Sequence, residues 1–214
     1  MINTSDLIEK LSHEGLATKM LPNPRTMAGY LLAIIAVYGI STQCVLGLRP
    51  DLATQLTRPL FAGEIILLSS LLITSTIASV LAMYPDAYQK TQFLKAPYIV
   101  FLFLFILVGF QFFMPEDIRM IMPEVGHGMK CTICIASFAI TPSAIIFTLL
   151  RRGAIVSQLQ AGVFAALASS SIGCITLRLS ELNDSVVHLV SWHYIPTLLF
   201  AMIGAFIGKL LLKW

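Results

Sequence analysis

Six apolar runs, each about as long as a lipid bilayer is thick, dictate what this chain can fold into. They are predicted at Met27–Leu46, Leu60–Met83, Pro97–Met114, Cys131–Leu150, Gln158–Leu177 and Ser191–Leu212. About 20 apolar residues cross roughly 30 Å of hydrocarbon as a helix. A backbone in hydrocarbon finds no outside hydrogen-bond partner, so each run must be helical. Composition excludes a soluble alternative: 57% of the 214 residues are hydrophobic and 12% are charged, and mean hydropathy is +0.84. A soluble domain carries roughly 25% charged residues. The expected fold is an all-α integral membrane protein, a bundle of six transmembrane helices behind a short cytoplasmic N-terminal helix. The connections are too short for a further soluble domain. A net charge of +3 without a basic run gives no reason to expect direct nucleic-acid binding, and the lipid bilayer is partner enough for the few cations.

Residues 1–26 form the one substantial polar segment, ahead of a membrane domain at 27–214. Ser5-Asp6 reads as a helix start, with Leu7, Ile8 and Leu11 on one face and Glu9, Lys10 and Ser12 on the other. A helix of about ten residues is marginal alone in water. It is either an interfacial anchor or a partner-docking motif that folds into an apolar groove through Asp6, Leu7, Ile8 and Leu11. The segment lacks the form of a signal peptide, and the first apolar run is followed by no small-residue cleavage site.

Lysine and arginine set the orientation. With the N-terminus inside, the inner segments hold Lys10, Lys19, Arg25, Lys90, Lys95, Arg151, Arg152, Lys209 and Lys213. The outer ones hold Arg49, Arg58, Arg119, Lys130 and Arg178, nine against five. Both termini are therefore expected in the cytoplasm. Cys44, Cys131, Cys134 and Cys174 then all fall toward the outer ends of their helices, with His127, His188 and His193 on the same side.

The chemistry concentrates in Gly126–Gly153, which reads G-H-G-M-K-C-T-I-C, then an apolar run broken by Pro142, then L-L-R-R-G. Cys131 and Cys134 lie three apart on one helical face. At a helix N-terminus the macrodipole favours a thiolate, and Lys130 adds to the effect. Such a pair oxidises reversibly, takes a thiophilic metal or reacts with an electrophile; alternatively, its cysteines simply pack between helices. A zinc set of Cys131, Cys134 and His127 is conceivable, although the spacing lacks a second conventional pair. Glu64, near the outer end of the second run, is expected to pair with Arg58 or to face water. The serines of the second and fifth runs, and Gly204 and Gly208 in a G-x-x-x-G, read as helix-packing features, the latter within the chain or in a homodimer. Pro142 and Pro196 predict kinks. No catalytic triad or phosphate loop is present, and no cofactor is implied.

Several stretches resemble the NrsF family of bacterial inner-membrane proteins, negative regulators of extracytoplasmic-function sigma factors. They are D-L-I-E-K-L at Asp6–Leu11; G-L-R-P-D-L at Gly47–Leu52, leading through Pro59, Phe61 and Glu64; and the Cys131 helix ending L-L-R-R-G-A at Leu149–Ala154. Ala161-Gly162 and Asp184-Ser185 follow, with Trp192 and Tyr194 downstream. The resemblance covers nearly the whole chain. It implies an anti-sigma factor, not an enzyme, whose N-terminal segment sequesters its sigma factor at the membrane and releases it on a cysteine-linked stress signal. Cys131 matches the family cysteine at the head of the fourth span. The second family cysteine, in an H-C-x-x-D-S pattern, is absent: Ser180 and Glu181 stand at the His and Cys positions. Cys134 and Cys174 are then the candidates for a second thiol. Two other function classes fit the residues less well, a thiol–disulfide oxidoreductase passing electrons to a quinone and a small-solute transporter.

Overall fold

The computed structural model describes residues 5, 6, 9, 21–113 and 125–212. In chain order the elements are α1 (Pro24–Leu46), α2 (Leu52–Leu56), α3 (Pro59–Leu81), a 3-10 turn (Pro85–Lys90), α4 (Thr91–Gln111), α5 (Val125–Leu150), α6 (Gln158–Ser180), α7 (Val186–Leu189), a π turn (Val190–Tyr194) and α8 (Ile195–Leu211). There is no strand among the described residues. Six helical stretches are long and apolar enough to cross a membrane; α7, the π turn and α8 together make the sixth, Val186–Leu211.

Two of the spanning helices start where the chain supplies a cap or a proline. The Asn23 side chain accepts the Arg25 amide at 3.0 Å, with Pro24 opening α1, and Pro59 opens α3. Proline is suited to a first turn because its missing N–H would have no partner there. The short third run begins earlier, one of the two ways in which it could fit a bilayer, and two other boundaries differ from expectation. The third span begins at Thr91 and runs through Pro97, because an exposed lysine near a helix end, here Lys95, can extend its head toward water. The fifth continues to Ser180, which places Arg178 inside a helix and buried. The sixth begins at Val186, five residues before the expected Ser191.

Helix α6 is the axis of the bundle. In its most apolar window 83% of residues are buried, against 17% in α1 and α4. It packs against α3, α5 and α8. Lipid tails are as apolar as leucine, so close packing rather than water exclusion must hold these helices together. Small residues make that possible: a Cβ on Gly204 would fall onto the Gly162 carbonyl and Ala166, and Gly208 faces Gly162 in turn. The G-x-x-x-G face is therefore occupied within the molecule by α6. The Ser169, Ser170 and Ser171 hydroxyls donate to carbonyls one turn back at 2.6–2.8 Å, so this polar run is satisfied inside its own helix. Two apolar layers flank the axis. One, around Leu31, Ile35, Met83 and Leu150, lies toward the N-terminal end of α1; the other includes Leu68, Leu104, Ile135 and Tyr194.

Candidate functional site

The second layer leads to the end of the bundle where α1, α4 and α6 finish and α3, α5 and α7 begin. An arginine clasp closes it. Gly47 ends α1 with φ of 80°, a conformation that glycine adopts without penalty, and turns Arg49 inward. The Arg49 guanidinium bonds Asp51 at 2.7 and 3.0 Å and Asp184 at 2.9 and 2.8 Å, while its backbone N–H donates to the Leu179 carbonyl. Arg178 forks onto both oxygens of Glu64 at 2.9 and 3.0 Å and reaches Asp184 at 3.0 Å. Both guanidiniums lie over the Phe61 ring, and the Tyr194 hydroxyl donates to Glu64. Glu64, Arg178, Tyr194 and Arg49 are all buried. Glu64 thus pairs with Arg178, a residue expected in a loop, and not with Arg58. Burial would lift the Asp184 carboxyl, but the Arg49 hydrogen bonds and the Arg178 charge hold it below the ordinary carboxylate range. The Arg49 hydrogen bonds do the same for Asp51. A cavity of about 840 Å³ opens beside the clasp, lined in part by Arg58, Phe61 and Gln111.

Three residues past Arg178 the character changes. Glu181, the residue just after α6, has its carboxylate against three side chains: Cys131, whose Sγ donates to it at 3.4 Å, and the Nε2 atoms of His188 at 3.0 Å and His193 at 3.2 Å. A ligand atom from each of the four residues lies within 4.8 Å of the others. Cys131, His188 and His193 are buried, and 9% of the Glu181 side chain is exposed.

The chain assembles this cluster through the π turn. On a regular α-helix, residues five apart point about 140° away from each other. The π turn at Val190–Tyr194 admits one extra residue per turn, so His188 and His193 share a face, their ring centroids 5.3 Å apart. Turns of this kind recur at functional sites. Pro196, just past the turn, has no N–H for the carbonyl four residues back. That carbonyl, of Trp192, accepts the Thr132 hydroxyl at 2.8 Å, which fastens Cys131's neighbour to the histidine segment. Pro142 repeats the arrangement: the Phe138 carbonyl accepts the Tyr38 hydroxyl of α1 at 3.1 Å. Each proline in these two helices therefore frees a carbonyl for a neighbouring helix, and α5 is held to α1 at mid-length and to the sixth span at its head.

The expected site residues are distributed as follows. Cys131 is in the cluster. Cys134, one turn on, is half-buried beside the second apolar layer. Cys44 is exposed near the end of α1; Cys174 is buried, its sulfur 3.3 Å from Thr197 Oγ1. Of the zinc set first considered, Cys131 stands with Glu181, His188 and His193 instead of with Cys134, and the His127 side chain lies outside the described residues. Asp6 is helical and exposed; Leu7, Ile8 and Leu11 lie outside the described residues. Sequence reasoning missed Glu181, His188 and His193 as a group. The signal for Glu181 was its place at the absent cysteine; the two histidines, five apart, carried none without the π turn.

A family model described as NrsF, negative regulator of sigma F, matches residues 11–214, nearly the whole chain. No curated protein and no solved structure matches. The chain belongs to the NrsF family, whose members are negative regulators of a sigma factor.

Proposed function

We propose, from its membership of the NrsF family, that the chain is an anti-sigma factor of the bacterial inner membrane. Residues 1–26, through Asp6, Leu7, Ile8 and Leu11, hold an extracytoplasmic-function sigma factor away from RNA polymerase. A stress signal acting at the thiols of Cys131 and Cys134 on the outer face releases it. The orientation rests on the excess of lysine and arginine in the inner segments, nine against five.

The observation that carries this reading is the path along α5. Its head holds Cys131 and Thr132, and its middle is bonded to Tyr38 on α1, the helix that continues the N-terminal segment. A change in the seating of Cys131 moves α5 against α1, and α1 sets how residues 1–26 present their partner. A 100-fold change in partner affinity needs a coupling of about 2.7 kcal/mol. A buried hydrogen bond contributes about 1 kcal/mol, so displacing α5 from a few such contacts suffices.

The test is co-purification of the intact protein from its own membrane, before and after oxidant or thiophilic metal. The sigma factor should leave with the signal, remain bound in Cys131→Ser and leave only partly in Cys134→Ser. Release from Cys131→Ser equal to wild type rules out the thiol route, and absence of any sigma factor from the untreated complex rules out sequestration. A membrane-impermeant thiol reagent on whole cells checks orientation at Cys44, which is exposed, in a background without the other cysteines. Labelling only after the membrane is breached reverses the topology.

A further inference from the structure

We propose that Cys131, Glu181, His188 and His193 form a preassembled site for one divalent cation of the zinc class. The donor set is the first reason. Zinc takes thiolate, imidazole and carboxylate together at tetrahedral sites, whereas magnesium and calcium ask for oxygen alone and copper(I) for sulfur. Geometry is the second. Bonds of about 2.0–2.3 Å put tetrahedral ligand atoms roughly 3.3–3.7 Å apart. The contacts to Glu181 already measure 3.0–3.4 Å, and the widest separation stays within 4.8 Å. Closing around an ion takes shifts of about an ångström.

Charge balance is the third reason. A dication with one thiolate, one carboxylate and two neutral imidazoles is neutral overall, which an apolar surrounding favours over any charged alternative. Binding involves no electron transfer: the Cys131 thiol gives its proton to water as the sulfur–metal bond forms. Each histidine ligates as a neutral imidazole through the ring nitrogen that carries no proton, its single N–H proton sitting on the other ring nitrogen. Glu181 offers the way in, since its side chain keeps some exposure beside the α6–α7 loop.

The four donors come from the head of α5, the end of α6, α7 and the π turn. One ion would staple three segments that otherwise meet here through polar contacts, and so set where the head of α5 sits. That consequence rests on the regulatory reading above; the binding does not. It also gives Glu181 a role at the position where the family pattern has its second cysteine: a carboxylate ligand in place of a thiolate.

The test uses the intact protein in detergent, reduced with a thiol-free reductant and titrated with cobalt(II) alone as a spectroscopic stand-in, then with zinc. One cobalt should bind per chain, with a thiolate-to-cobalt charge-transfer band that zinc abolishes. Cys131→Ser should remove the band, and Cys44→Ser should keep it. Glu181→Gln, which preserves side-chain shape, should weaken zinc binding by about 100-fold or more, above the effect of losing a residue that merely orients a ligand. Thermal unfolding of each variant identifies any that fails to fold. Absence of stoichiometric binding by wild type, or a band that persists in Cys131→Ser, overturns the site. Either result leaves sigma-factor capture standing or falling on its own test, and loss of capture with cobalt binding intact sinks the regulatory reading alone.

Discussion

Two buried polar clusters share one end of the bundle and the same short stretch of chain, yet they are built on opposite principles. The arginine clasp is closed. Two guanidiniums meet three carboxylates, and each fork is matched to the oxygens it faces. The Cys131 cluster is open in a chemical sense. One carboxylate lies against three side chains, and each of them is also a good ligand for a borderline metal. Burial alone does not mark function: both clusters are buried, but only the second brings together a thiol, two imidazoles and a carboxylate, the donor set of a zinc-class ion. The clasp is scaffold, and its task is to hold the α6–α7 loop in the register that the cluster needs.

The sharpest way to break this comparison is to cut the clasp. Arg178→Met leaves the Glu64 carboxylate buried with the Tyr194 hydroxyl and no cation. Removing one partner of a buried ion pair costs about 3–5 kcal/mol, so the thermal midpoint in detergent should fall steeply. Adding Glu64→Leu should recover most of the loss, because well-packed apolar residues commonly replace a buried pair at little cost. A single variant as stable as wild type contradicts the scaffold reading. Loss of cobalt binding in Arg178→Met, with recovery in the double variant, ties the clasp to the cluster.

A second break is smaller. Arg49→Lys keeps the charge but gives up the fork that spans Asp51 and Asp184. Hydrogen bonds to charged groups contribute about 1.5–3 kcal/mol each, and lysine retains some of them, so a loss of about 2 kcal/mol is expected. The same clasp carries a pH signature. Arg49 and Arg178 face Asp184 from α1's connection and from α6, and Asp184 and Asp51 are held below the ordinary carboxylate range. A carboxylate with a depressed folded-state pKa contributes its stability above the unfolded value near 4, and that contribution is lost as pH falls toward the folded value. The midpoint should therefore be flat in this contribution from pH 7 down to about 5 and then decline. Arg49→Lys should flatten the decline; an unchanged acid profile removes Asp184 from the account.

The two clusters also differ in how far the sequence disclosed them. Six spans were readable because length and apolarity are local properties, and family membership was readable from G-L-R-P-D-L and R-R-G-A. The structure explains the first of these motifs: glycine for the turn at Gly47, arginine for the clasp at Arg49, aspartate for its partner at Asp51. The pairing of Arg178 with Glu64 was not readable. It depends on three more residues of helix beyond Leu177, and helix ends are the least certain feature of a hydropathy pattern. His188 and His193 were hidden for a stricter reason. Five residues is a non-facing interval on an α-helix, and only a local change of helix type brings the rings together. The prolines were visible, but kinks were expected of them; which helix would take up the freed carbonyls is a tertiary fact.

The mildest break concerns the tie between the regions. Tyr38→Phe removes one hydroxyl, the donor to the Phe138 carbonyl that Pro142 leaves without an intrahelical partner. The cost in stability should be about 1 kcal/mol, a few degrees in the thermal midpoint. Clasp and cluster are both remote from this bond, so cobalt binding should be unchanged. Signal transfer should not be: if α5 communicates with α1 through this contact, treated Tyr38→Phe membranes retain the sigma factor longer than wild type while the untreated complex forms normally. Thr132→Val makes the matching cut at the head of α5, where the Trp192 carbonyl loses its donor, and should disturb metal binding and release together. Release from treated Tyr38→Phe membranes at the wild-type rate would remove the α1 contact from the path, and wild-type metal binding and release in Thr132→Val would remove the contact at the head of α5.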